Sequence, residues 1–346
     1  MTTVEPWPVG VVALVVVLGV VLLAALLIVL VPVSTGGLGP RPKPARDYAD
    51  AMARFEAIAA AEATVCNPAI RSLLLTHGQP TRRVYVFIHG TTNSPRQFEE
   101  LGRLLHARGH TVYIPLMPRH GRRSMRLAEL RGLRAEELRD YADAAVDLAS
   151  GLGQEIVAVG ISGGAAVVGW MGQNRAEMHT ALLLAPFLGV RRVSPAVGTA
   201  MMNVYSRMPS VNLEDPLEPR RDWVYRGQTT RALAETLRIG RALFRQATAA
   251  PPLASHLILL TTARETQVAN GATYRLAALA GAGGQRHRRR VRPGVGDSPQ
   301  RHRPGGRPGQ EGDCLCAAVG TAGGNALDKR VAHFDPFVVL TSVQIL

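Results

Sequence analysis

Between residues 84 and 184 short β-rich apolar runs alternate with helix-length segments, and few folds accommodate that order. Val84-Tyr85-Val86-Phe87-Ile88 is apolar throughout. A strand without polar alternation needs cover on both faces. Similar runs at 111–115, 155–160, 181–184 and 257–262 predict further strands. Helices are expected at 95–108, 127–148 and 164–173. The first carries Phe98, Leu101, Leu104 and Leu105 on one face and stops at Gly109. The second is rich in i,i+4 charge pairs. Strand and helix in turn at these spacings predict an α/β fold with a doubly wound, mainly parallel sheet.

Residues 187–254 break the alternation. They hold Met201, Met202, Tyr205, Met208, Trp223 and Tyr225, then a helical stretch at 229–246. Two readings stay open. The segment is a helical cap insertion over a site, or its side chains bury the helix against the sheet.

Residues 9–33 are 25 consecutive apolar, Gly or Pro residues. As a helix they are long enough to span a hydrocarbon core of about 30 Å. Trp7 stands at the edge, where an interfacial aromatic is expected. A cleaved signal peptide and a buried core helix are the competing readings. No Lys or Arg precedes the run, and its length exceeds an ordinary signal core. The expectation is a single-pass N-terminal transmembrane helix, with membrane lipid as a partner. Arg41, Lys43 and Arg46 follow it, which by the positive-inside tendency places the large domain in the cytoplasm. The division expected is an anchor at 1–35, a Gly/Pro-rich linker and juxtamembrane helix at 36–80, an α/β domain at 81–280, and a tail at 281–346.

The net charge of +14 is uneven: residues 281–310 hold eight Arg and one Asp. That stretch contains no Phe, Tyr or Trp, so it lacks the aromatics of a single-strand nucleic-acid surface, and no nucleic-acid partner is expected. Cys66, Cys314 and Cys316 form neither a disulfide framework nor a metal signature, and they read as free thiols. No metal or cofactor is called for.

Gly160-Ile161-Ser162-Gly163-Gly164 fits G-x-S-x-G, a weak pattern alone. Here it follows a strand (156–159) and opens a helix, the context of a nucleophile elbow. Small residues at Gly160 and Gly164 allow the tight turn. A helix N-terminus favours negative charge developing near Ser162. Acyl transfer also needs two preorganised N–H donors for its oxyanion. The amide of Gly163 is one. Thr91, after His89-Gly90, is the other.

The strand ending in His-Gly, the later elbow, and Leu184-Ala185-Pro186 after the next strand resemble the α/β-hydrolase superfamily, over roughly 83–280. Within it the chain resembles esterase, lipase and serine-aminopeptidase-like members. Pro118-Arg119-His120-Gly121 is similar to the family's loop after its second strand, which usually has Gly where Arg119 stands. The resemblance implies the chain order Ser, acid, His. Ser162 is then the nucleophile, and Glu265, just beyond the strand at 257–262, takes the acid position in place of the usual Asp. The base has no clear occupant. His302 has suitable spacing but no strand before it. His287 lies in a charge run, His256 precedes the acid, and His333 is far downstream. Codons allowed for 286–291, read from their second base, can encode a Val-Thr-Val-Val-Glu-Phe strand. Those for 297–303 can encode Ile-Pro-His-Asn-Val-Ile-Asp, with a loop histidine. A change of reading frame near Gly281 would thus explain the tail.

The function expected is carboxylic-ester hydrolysis on a small-molecule ester or acyl substrate. Two alternatives stand beside it: a non-catalytic binding protein of the same fold at the membrane, and a serine peptidase or amidase.

Overall fold

The computed structural model describes residues 9–216, 221–262, 266–290 and 340–345. Trp7, Glu265, His302, His333, Cys314 and Cys316 lie outside them, and at His287 only the backbone path is described. The chain runs through α1 (Val9–Leu30), α2 (Tyr48–Val65), β1 (Leu73–Leu75), β2 (Thr81–Ile88), α3 (Arg96–His106) and β3 (Thr111–Ile114). Next come α4 (Ala135–Ser150), β4 (Gly153–Ile161), α5 (Gly163–Asn174), β5 (Met178–Leu184) and α6 (Pro195–Arg207). A short hairpin, β6 (Asn212–Glu214) and β7 (Gly227–Thr229), leads into α7 (Thr230–Ala249), β8 (His256–Thr262), α8 (Asn270–Arg290) and β9 (Leu340–Ile345).

Among the described residues seven strands form one sheet in the order β1-β3-β2-β4-β5-β8-β9. The five strands read from sequence, β3, β2, β4, β5 and β8, are mutually parallel. The two short or late ones, β1 and β9, pair antiparallel at the edges. The apolar character of β2 follows from the pleat, which turns successive side chains to opposite faces. Val84, Val86 and Ile88 join the core beneath α4, α5 and α7. Tyr85 and Phe87 join a second core with Phe98 and Leu105 of α3. Both faces are covered, so neither set is polar.

The helix expected at 127–148 is two elements. A 3-10 turn, Leu127–Gly132, ends where Leu133 leaves helical geometry, and α4 starts at Ala135. The Arg119 guanidinium lies where a Cβ on Gly132 would sit. Glu137 accepts from the Arg134 amide at 2.9 Å and caps the new start. The charge pairs expected along α4 give way to inward contacts. Arg139 is buried, and its guanidinium donates to the carbonyls of Gly37 and Gly39. Helix α7 belongs to the main core, through Ala232, Ile239, Ala242 and Leu243. Helix α6 lies outside it, on α7, with Met202 packed against Ala234, Leu237, Phe187 and Tyr205.

Helix α1 has no buried residue, which rules out the core-helix reading. It is the one helix long and apolar enough to cross a membrane among the described residues. The stretch after it, expected to be a linker, is a strap docked on the domain. The Ser34 carbonyl accepts from Arg238 at 2.7 Å and the Leu38 carbonyl from the Trp170 indole at 2.9 Å. Arg41 N–H donates to Asp143 (2.7 Å) and Lys43 N–H to Asp147 (2.9 Å). Leu38 has no exposed surface. Buried polar backbone must find partners, and this strap finds them on α4, α5 and α7. Leu38→Ala is expected to lower the unfolding free energy by about 3 kcal/mol, through lost transfer energy and a cavity. Urea denaturation followed by circular dichroism measures it.

Candidate active site

Strand β4 sits at the middle of the sheet, and Ser162 follows its last residue. Its backbone has φ 54° and ψ −118°, in left-handed territory that side chains rarely adopt. Tertiary bonds hold it there. Ser162 N–H donates to Leu184 O at 3.0 Å, and Ser162 O accepts from Ala165, Ala166 and Phe187 amides at 2.9 to 3.3 Å. The turn closes only without side chains at its flanks. A Cβ on Gly164 would stand 2.3 Å from Ile88 O and 2.4 Å from His89 O. One on Gly160 would stand 2.5 Å from Gly164 O. The serine is half-buried, and it is the residue that opens α5.

The loop after β2 reaches this point because Ile88 is in register with Gly160. A Cβ on Gly90 would lie 3.9 Å from the Ser162 Cβ, and one on Gly163 would meet the Thr91 Cγ2 at 2.5 Å. Thr91 and Gly163, singled out separately in the sequence, are therefore neighbours. The carbonyls of this loop all face elsewhere. Gly90 O accepts from Asn93 N–H at 2.9 Å, Thr91 O from His120 Nε2 at 2.7 Å, and Thr92 O from Tyr225 N–H at 2.7 Å. A trans peptide points its N–H opposite its C=O. With Gly90 O turned away, the Thr91 N–H faces the other side of the loop. The Gly163 N–H is in the first turn of α5, where helical amides have no partner within the helix.

Two buried histidines support that loop, and sequence reading had given neither a role. His89 Nε2 lies 3.1 Å from the Met117 amide, which can only donate. Nδ1 therefore carries the proton and gives it to Gly90 O at 2.9 Å. Burial, with His120 alongside, pushes the His89 pKa down to about 3. His120 lies between the carbonyls of Pro118 and Thr91; burial lowers its pKa against the pull of those carbonyls, and the neutral ring donates its one N–H to Thr91 O, the shorter contact at 2.7 Å. Tyr225 closes the group. Its ring meets His120 edge-on, and its hydroxyl accepts from Gly121 N–H at 3.0 Å. Arg119 has φ 66°, which explains why the resemblance calls for Gly there. The arginine is held by Glu137 at 2.9 Å.

These histidines predict an acid limb of stability. Their folded pKa values lie below the ordinary 6.5, so the unfolded chain binds more protons as pH drops. Their contribution is complete above about pH 6.5 and is lost as pH falls toward the folded values. The melting temperature is expected to fall steadily from pH 7 to 5, and to fall less in His120→Phe. Calorimetry across that range tests it.

The loops after β5 and β8 leave the sheet at the same edge as Ser162. They are stitched by Arg191 N–H to Gln267 O at 3.0 Å and Ala269 N–H to Gly189 O at 3.0 Å. Glu265, three positions along the sequence from the end of β8 at Thr262, lies outside the described residues. His256, a candidate base in the sequence, starts β8 and lies beside His179 near the start of β5, the rings 5.1 Å apart and tilted by 59°. That is the opposite end of the strands. Cys66 is a buried free thiol. No group of three or more potential ligands that could hold a metal occurs among the described residues.

Residues 85–307 match the Alpha/beta hydrolase family. The chain belongs to that family. The match takes in Ser162 and reaches past Glu265 and His302. Among solved structures, this α/β-hydrolase is similar to a metagenome-derived lipolytic enzyme at 18% identity and TM-score 0.47, over 63% of this chain and 84% of that one. It is similar to the Paleococcus ferrophilus monoacylglycerol lipase at 17% identity and TM-score 0.48, over 61% and 84%. The Saccharomyces cerevisiae monoglyceride lipase is similar at 11% identity and TM-score 0.46, over 60% and 78%. No curated protein matches the chain.

Proposed function

We propose that the chain is a membrane-anchored serine hydrolase of carboxylic esters, with Ser162 as nucleophile. The observation that carries this reading is the backbone of Ser162, held at φ 54° between β4 and α5 with Thr91 against Gly163. Strain of that kind persists only where its surroundings enforce it, and at this place in this family it serves the nucleophile. Ser162 Oγ attacks the ester carbonyl and its proton passes to a histidine that follows Glu265 in the chain. Glu265 orients that ring. The amides of Gly163 and Thr91 hold the oxyanion, and the leaving alkoxide takes the proton back. Water then repeats the sequence on the acyl-enzyme. Helix α1 spans the membrane, and α6 with the hairpin caps the site.

A fluorophosphonate probe tests this reading. Covalent labelling, mapped by mass spectrometry to the peptide holding Ser162, supports it; a folded sample without labelling refutes it. A panel of p-nitrophenyl esters and aminoacyl anilides separates esterase from amidase action.

A second reading, a binding protein of the same fold, draws support from the described histidines. Both ring nitrogens of His89 are bonded to backbone groups, and both of His120 face backbone carbonyls. For the tail we propose the frame change near Gly281. The coding DNA tests it: a stop codon, or no histidine codon, in the alternative frame removes the idea.

A further inference from the structure

We propose that the end of α6 and the segment 208–213 form a second membrane contact, lying on the lipid surface beside the point where α1 leaves it. This rests on the reading of α1 as a bilayer span. Asn203 of α6 has no exposed surface. Its amide donates to Val29 O at 2.7 Å and accepts from Val33 N–H at 3.0 Å. One turn later Arg207 donates to Ile28 O at 3.1 Å. Moving toward the C-terminus of α6 therefore moves back along α1, into the apolar run.

Three of the six residues that come next are apolar and exposed. Met208 is 44% exposed, Val211 53% and Leu213 40%. Beside the end of a bilayer span, exposed apolar side chains can enter the interfacial layer. The backbone carrying them is braced. Arg231 donates to the carbonyls of Ser206 and Met208, and Val211 exchanges bonds with Thr230. Glu214 and Asp215 follow Leu213 and are exposed, which limits the contact to the headgroup and upper acyl layer. Lipid is the occupant argued here because the surface is continuous with α1. Across α6, Met202 packs with Phe187, whose N–H is bonded to Ser162 O. A membrane-resident ester would thus meet the cap before it meets the serine.

The test uses the full chain in phosphatidylcholine vesicles carrying nitroxide-labelled lipid, with Cys66 replaced by Ala and Cys314 and Cys316 by Ser. Single cysteines at Met208, Val211, Leu213, Leu18 and Leu104 receive an environment-sensitive dye. Leu104 lies on α3, on the far face of the sheet, and Leu18 at the middle of α1. Quenching several-fold above Leu104 at two or more of Met208, Val211 and Leu213 supports the contact. Quenching equal to Leu104 there overturns it. Leu18 reports the span separately, and none of these signals depends on catalysis, so failure of the esterase reading is seen only with the fluorophosphonate probe.

Discussion

Ser162→Ala is expected to lower the rate of p-nitrophenyl ester hydrolysis by on the order of 10⁴-fold or more. In the proposed mechanism the side chain lost supplies the bond-forming oxygen, and no other group replaces it. On that mechanism the proposed oxyanion pair and the bound geometry remain, and such groups alone still accelerate an ester's reaction with water. The drop should fall on kcat with KM nearly unchanged, because the hydroxyl contributes little to ground-state binding. Steady-state kinetics on both chains distinguishes this from misfolding, which lowers active concentration without a defined KM. A loss smaller than tenfold would place the nucleophile elsewhere.

Arg175→Met should destabilise the fold by about 3–5 kcal/mol. Arg175 is 1% exposed and stands just past the C-terminus of α5. It donates to Asp143 at 2.8 Å, Asp147 at 2.5 Å and Glu177 at 2.7 Å. Removing one cation leaves two aspartates buried without their charge partner, and that is the costly half of breaking a buried ion pair. The same aspartates accept the strap amides of Arg41 and Lys43. Hydrogen exchange at those two amides should therefore quicken along with the drop in the denaturation midpoint. Adding Asp143→Asn and Asp147→Asn to the Arg175→Met variant removes the orphaned charges, and should recover part of the loss. No recovery would mean that packing, not charge, dominates.

What the sequence could show here follows from the range of the interactions. The parallel sheet was legible because both faces of each strand are buried, so β2 and β4 are apolar residue by residue. The elbow was legible because its steric demands act within five residues, Gly160 to Gly164. Thr91 and Gly163 are picked out of the sequence separately, and their contact is visible only in the fold. Hidden features depend on distant partners. A Gly/Pro-rich stretch reads as a tether, and only Asp143, Asp147, Arg139 and Trp170 turn it into a docked strap. The break before α4 depends on Arg119 lying over Gly132. Helix α6 has weak amphipathic character, since its buried face is narrow: Met202 and Asn203. His120 looked like part of a loop motif; its two carbonyl partners come from separate parts of the chain.

The clamp on Ser162 runs entirely through main-chain atoms: its own N–H to Leu184 O, and three amides onto its carbonyl. A side chain that ends at Cβ leaves every one of those bonds in place. On the proposed mechanism the alanine chain should then keep the bend at this turn while being unable to turn over what binds there. Such an inert trap could be soaked with mixtures of natural esters and its captive read out by mass spectrometry, letting the protein nominate its own substrate.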